Sequence, residues 1–150
     1  MNMKEELESY SAQDTRQIGR RMGAEAVPGQ VITLNGDLGV GKTVFAQGFA
    51  EGLGIPDSVN SPTFTILQIY EEGRLPLYHF DVYRIGDTEE MFEIGWEEYV
   101  DAQGVCLVEW ADQIADLIAE IPEEKLSRVE IRKDPAKGND YRSVIISRSI

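Results

Sequence analysis

The 150-residue chain has one cysteine, Cys106, and one histidine, His79, so an internal disulfide and a Cys/His zinc cage are both excluded. No apolar run approaches the ~18 residues a membrane span needs. The opening Met1-Asn2-Met3-Lys4-Glu5-Glu6 has no signal-peptide core, which predicts a cytoplasmic chain with no membrane contact. Internal repeats, low-complexity tracts and Pro/Ser-rich linkers are missing too, so a single domain spanning residues 1–150 is expected. Cations are scarce: 14 Lys and Arg face 27 Asp and Glu, a net charge of -13. Such a surface repels a phosphate backbone at long range, so unaided binding of DNA or RNA is not expected. The same charge suits general solubility or docking on a basic partner. With 42% hydrophobic and 27% charged residues, the composition is that of an ordinary globular protein.

The remaining pattern alternates strands and helices. Ser11-Ala-Gln-Asp14 reads as a helix cap, with the helix running to about Ala26 and stopping at Pro28-Gly29. Val31–Asn35 reads as a buried strand, Lys42–Leu53 as a helix, and Thr65–Tyr70 with Leu75–Asp81 as a hairpin. Asp87-Thr-Glu-Glu90 predicts a second capped helix to about Val100, followed by a strand at Val105–Glu109 and a helix from Ala111 to Ile121. Ser127–Arg132 and Tyr141–Arg148 read as the last two strands. The order predicts an α/β, P-loop NTPase-like three-layer fold, its sheet mostly parallel at the centre with antiparallel additions.

The strongest motif is Gly36-Asp37-Leu38-Gly39-Val40-Gly41-Lys42-Thr43, a full match to G-x-x-x-x-G-K-[ST], leaving a strand and entering a helix. Its glycines let backbone N–H groups close around phosphate oxygens, and the helix start presents its positive end to the anion. Lys42 supplies charge for the β- and γ-phosphates, and Thr43 a hydroxyl for Mg²⁺. No Asn-Lys-x-Asp box for guanine is present, so ATP is the expected nucleotide.

Such a site also needs a carboxylate at a neighbouring strand tip, and Asp81 and Glu109 both stand at one. Spacing alone leaves open which meets the metal and which orients water. Thr63, in Asn60-Ser-Pro-Thr-Phe64, is either a γ-phosphate sensor or part of a turn stiffened by Pro62. Arg84 is either a cation near the phosphates or half of a strand-end ion pair, and Trp110 either walls the site, meets a partner or packs. His79 fits a hydrogen-bonded core or site-wall residue better than a general base, and Cys106 reads as a small core residue. Two rival readings remain: a small-molecule kinase, against which stands the lack of an Arg-rich lid, and a docking module switched by nucleotide binding alone.

Together the P-loop, Asn60–Phe64, His79-Phe-Asp-Val-Tyr-Arg84 and Cys106-Leu-Val-Glu-Trp110 resemble the TsaE (YjeE) family, from about Ser11 to Glu130. Val40 stands where the family often has Ala, Val82 where it often has Leu, and the strands after Arg132 match poorly. The resemblance implies a Mg²⁺-dependent ATPase acting with TsaD and TsaB in N6-threonylcarbamoylation of adenosine 37 of tRNAs reading ANN codons, the tRNA itself being met only indirectly. No arginine finger is identifiable in the sequence, so hydrolysis is expected to be slow in the isolated chain and faster with the partners. It implies Thr43 and Glu109 as Mg²⁺ ligands, Asp81 as a catalytic or metal-shell carboxylate, Thr63 as a switch residue and Trp110 as a functional aromatic. Ser11 and Thr15 would lie beside the adenine, with a residue of the C-terminal strands as a further neighbour.

Overall fold

The computed structural model describes residues 2–37, 39–56, 59 and 66–149. Its strands are β1 (Asn2–Ser9), β2 (Val31–Asn35), β3 (Leu67–Tyr70), β4 (Leu77–Asp81), β5 (Val105–Glu109), β6 (Leu126–Lys133) and β7 (Arg142–Ser149). Its helices are α1 (Ala12–Glu25), α2 (Lys42–Gly52), α3 (Glu89–Glu93), α4 (Trp96–Val100) and α5 (Ala115–Ala119). The strands form one sheet in the order β1-β7-β6-β2-β5-β4-β3. The central pairs β6–β2, β2–β5 and β5–β4 are parallel, while β3, β7 and β1 add antiparallel. This is the expected α/β architecture with a parallel centre.

Each face of the sheet is buried against helices. On one side Leu34, Leu77, Leu107 and Val129 pack with Phe45 and Phe49 of α2 and Met22 of α1. On the other, Val31, Phe80, Cys106 and Val108 pack with Met91, Trp96, Ile114 and Leu117. Cys106 is the small core residue expected, and burial pushes its thiol up to about 12. Among the described residues no helix is long and apolar enough to cross a membrane.

Four elements differ from the sequence reading. β1 was not expected: seven of its eight residues are exposed or half-buried at the sheet edge, so it carries no apolar alternation to read. The helix predicted from Asp87 to Val100 is two helices, broken at Gly95 with φ 92°. The predicted reciprocal capping box does not form: the cap residue is Thr88, whose side chain makes no capping bond, while Asp87 accepts from the Glu89 N–H at 2.9 Å and Glu90 accepts from the Gly86 N–H at 3.2 Å. The stretch from Ala111 begins as a 3₁₀ turn to Ile114 before α5. β3 begins at Leu67, two residues after the predicted start, and Thr65 itself lies outside the described residues.

At the N-terminus of α1, the Ser11 hydroxyl accepts from the Asp14 N–H at 3.1 Å, and the Asp14 carboxylate reaches back to the Tyr10 N–H at 2.9 Å. α1 and α2 then run in the same direction through a seam of glycines. A Cβ at Gly19 or Gly23 would strike the carbonyl of Phe45 or Phe49, and one at Gly48 or Gly52 the carbonyl of Arg16 or Arg20. This approach holds the first turn of α1 beside the start of α2. Gly48→Ala is expected to cost ~2–3 kcal/mol through forced separation of the backbones. That lowers Tm by roughly 5–10 °C, since ~1 kcal/mol moves Tm by ~2–4 °C in a domain of this size. Scanning calorimetry checks the sign, because alanine for glycine at an open helix position raises stability. A Tm at or above the parent's contradicts the seam.

Candidate functional site

β2 delivers the chain into the Gly36–Thr43 loop. Gly36 is required by crowding, since a Cβ there would lie 2.7 Å from the Ile131 carbonyl oxygen and 2.8 Å from Val40 Cγ1. Gly41, the cap of α2, has φ 117° and ψ 18°, a conformation that strains an L side chain. The loop thereby turns into the N-terminus of α2, where unpaired N–H groups and the helix dipole favour an anion. Leu38 lies outside the described residues.

Lys42 is buried, its Nζ donating to the Gly36 carbonyl at 2.6 Å and lying 3.3 Å from the centroid of the Trp110 ring. Burial lowers its pKa, while the negative charges of Glu109, Asp81 and Asp37 pull it back up. Trp110 sits at φ 61° and ψ 36°, a left-handed conformation that costs a non-glycine residue roughly 1–2 kcal/mol. That conformation is tied down on both sides of its Cα. The Trp110 N–H donates to Leu34 O at 3.3 Å, and the next N–H, of Ala111, donates to Asn35 Oδ1 at 3.0 Å. Tyr83 packs on the indole with ring centroids 4.7 Å apart. An observed strained residue of this kind points to a functional position.

The parallel register of β4 and β5 sets Asp81 directly opposite Glu109. Glu109 is 2% exposed, and His79 Nε2 lies 2.7 Å from its Oε2. A carboxylate only accepts, so His79 Nε2–H is the donor, and the buried Nδ1 has no partner among the described residues. His79 is fully buried and lines neither of the cavities at the phosphate loop, so of the two expected placements it takes the core one, hydrogen-bonded, and it fixes the Glu109 carboxylate. Asp81 is half-buried and accepts from the Tyr83 N–H at 3.1 Å. Burial raises its pKa, the Tyr83 N–H opposes that, and Glu109 adds to it; His79 and Lys42 pull it down.

These groups converge. Gly39, Gly41, Lys42, Thr43, Asp81, Glu109 and Trp110 line one cavity of about 380 Å³ at the carboxyl ends of β4 and β5 and the start of α2. A second cavity, of about 210 Å³, adjoins the other side of the loop, lined by Ser11, Thr15, Gly39, Val40, Gly41, Val44, Asp140 and Arg142. Ser11 and Thr15 reach it because the α1–α2 seam brings α1 there. The Thr15 hydroxyl is fixed by Ser9 Oγ at 2.7 Å.

The donor set fits a nucleotide: a cradle of amides and one cation for phosphates, and a separate pocket for a base. Thr43 and the two carboxylates offer the hard oxygens Mg²⁺ prefers. Asp37 and Arg84 are exposed and line neither cavity; Asp37 contributes its carbonyl, which accepts from the Val40 N–H at 3.2 Å. Thr63, with all of Asn60–Phe64, lies outside the described residues. The sequence reading named neither Asp140 nor Arg142, although the resemblance implied an unnamed residue of the C-terminal strands on this side. Arg142 Nε donates to the Val40 carbonyl at 2.7 Å and so braces the loop from β7, 102 positions away in the chain.

The sequence matches the family described as Threonylcarbamoyl adenosine biosynthesis protein TsaE over residues 9–143. It is 51% identical to the tRNA threonylcarbamoyladenosine biosynthesis protein TsaE of Bacillus subtilis over 136 residues, covering 91% of this chain and 80% of that one. It is 48% identical to the protein of the same name from Treponema pallidum over 115 residues, covering 77% and 82%. The fold superposes on the crystal structure of Bacillus subtilis YdiB with a TM-score of 0.80 at 40% identity, covering 99% of this chain and 87% of that chain. The match takes in Thr15, the phosphate loop, both strand-tip carboxylates and Arg142, and the chain belongs to the TsaE family of threonylcarbamoyl adenosine biosynthesis proteins.

Proposed function

We propose that this chain binds and hydrolyses ATP with Mg²⁺ and, with TsaD and TsaB, sustains N6-threonylcarbamoylation of adenosine 37 in tRNAs that read ANN codons. The observation that carries the chemical half is the convergence of Lys42, Thr43, Asp81 and Glu109 on one cavity at the start of α2. The modification it serves is supported by the family and by the names of its relatives, tRNA threonylcarbamoyladenosine biosynthesis proteins.

In this reading the loop amides of Gly39–Thr43 and the Lys42 ammonium hold the phosphates. Thr43 Oγ1 and the Glu109 carboxylate hold Mg²⁺, which neutralises phosphate charge. His79 keeps Glu109 oriented, as outer hydrogen bonds commonly orient metal-binding carboxylates. Asp81 stands across from Glu109 with its pKa raised by burial, and it accepts a proton from the attacking water. Ser11, Thr15, Asp140 and Arg142 surround the base.

Neither cavity has an arginine besides Arg142, which is engaged with backbone carbonyls. A stimulating cation from a partner contributes ~10³–10⁵ in rate where one is used. Hydrolysis by the isolated chain is therefore expected to be slow, and at least ~100-fold faster once the TsaD–TsaB heterodimer is added. Phosphate release followed with and without the heterodimer checks this. Equal rates in the two conditions contradict a partner-completed site.

A further inference from the structure

A groove of about 280 Å³ lies between α4 and α5, on the side of the sheet away from α1 and α2. Trp96, Leu117 and Ile121 form its floor, and Phe92, which is 45% exposed, stands at its edge. It shares no lining residue with either nucleotide cavity. Glu97, Asp101 and Glu120, all exposed, form the rim, with Lys125 at one end.

The charge around this groove is segregated from that of the rest of the molecule. Between Ile85 and Glu124 there are thirteen Asp and Glu and no Lys or Arg, leaving fourteen of each sign elsewhere. The entire net charge of -13 thus belongs to the segment that builds α3, α4 and α5. Solubility alone gives no reason for that segregation. Among the described residues of this segment, only buried Glu109 and Glu123 form ion pairs, with His79 and Arg128. The helices also place Glu89 with Glu93, Glu97 with Asp101, and Asp116 with Glu120 at i,i+4, where like charges repel. The layer carries this unbalanced field around an apolar slot.

We infer that the α4–α5 groove is a docking site for a basic, amphipathic protein segment that seats one large apolar side chain between Phe92 and Ile121 and sets Lys or Arg against Glu97, Asp101 and Glu120. Complementary charge selects the partner and speeds its approach, while the apolar anchor supplies the held contact. Nucleic acid and anionic membrane are repelled by the same field. The inference does not rest on nucleotide binding, because the groove shares no lining residue with the cavity at the phosphate loop.

A 16-residue amphipathic Leu/Lys peptide, titrated into the full isotope-labelled chain and followed by amide chemical shifts, tests this. Expected are shifts concentrated in α3–α5, affinity falling with salt, and at least tenfold weaker binding of an oligolysine of equal length. Phe92→Ser, at an exposed position, and the triple change Glu97→Lys, Asp101→Lys, Glu120→Lys should each weaken the Leu/Lys peptide at least tenfold. Unchanged ATP affinity and Tm serve as controls for folding. Shifts spread over the surface or centred elsewhere, oligolysine binding as tightly, or variants binding like the parent would overturn the proposal. An ATP titration of the same sample reports separately on the nucleotide site.

Discussion

Lys42→Ala is expected to lower ATP affinity by at least ~100-fold, about 3 kcal/mol, the upper range for hydrogen bonds that involve a charged group. The starting state explains the size. Without ligand the ammonium is buried against the Trp110 ring and the Gly36 carbonyl, and that burial disfavours its charge. Among the described residues no carboxylate lies within hydrogen-bond range of this cation, and a triphosphate supplies such an anion, so binding relieves a cost already present in the free protein. Removing Lys42 also removes that cost, so folding stability should remain close to the parent's. Isothermal titration with ATP and Mg²⁺ checks the affinity and scanning calorimetry the fold. An unchanged dissociation constant would refute the assignment of the phosphate site.

The second large effect concerns Asp81. Asp81→Asn keeps the shape of the side chain and the acceptor for the Tyr83 N–H, and it removes the negative charge and the ability to take a proton. Turnover with the TsaD–TsaB heterodimer present should fall by ~10²–10³, within the usual range for losing a general base, with ATP affinity changed by less than about threefold. Burial first and the neighbouring Glu109 second raise the Asp81 pKa, against the Tyr83 N–H, His79 and Lys42, and a raised pKa favours proton uptake at this carboxylate. Single-turnover hydrolysis and calorimetry separate the two quantities. A rate within threefold of the parent's would remove Asp81 from the chemistry.

The phosphate loop was legible because its requirements are local: close approach at Gly36, a positive φ at Gly41 and a helix start at Lys42 all fall within seven residues. The strand-tip carboxylates were legible as candidates, because an apolar run ending in an acid marks the end of a buried strand. Their division of labour was not. It depends on the β4–β5 register, which sets Asp81 opposite Glu109 and lets His79 reach a carboxylate 30 positions away. Arg142 carried no signal, since its use as a brace depends on β7 arriving beside the loop.

Local strain and edges were hidden for other reasons. Nothing in the preferences of tryptophan announces φ 61° at Trp110; the neighbouring β2 carbonyl and the Asn35 side chain impose it. β1 is an edge strand whose half-buried face carries Met3 and Leu7 with Glu5 between them, and that acid interrupts the apolar alternation by which strands are recognised. The sequence showed a helix start near Asp87, one residue before the cap at Thr88, but not the break at Gly95, a residue that a helix interior tolerates at modest cost until tertiary packing selects its left-handed form. The glycine seam, by contrast, stood in plain view at four-residue spacing in both helices, and only the pairing of α1 with α2 gives that spacing its purpose.

The central claim is that a triphosphate is held by main-chain amides at the start of α2. A crystal structure with a non-hydrolysable ATP analogue and Mg²⁺ tests it directly. The expected result has the β- and γ-phosphates against the amides of residues 39–43, with Lys42 Nζ moved off the Trp110 ring and onto phosphate oxygen. Phosphates bound elsewhere, or Lys42 still resting on Trp110 and the Gly36 carbonyl beside a bound analogue, would contradict it.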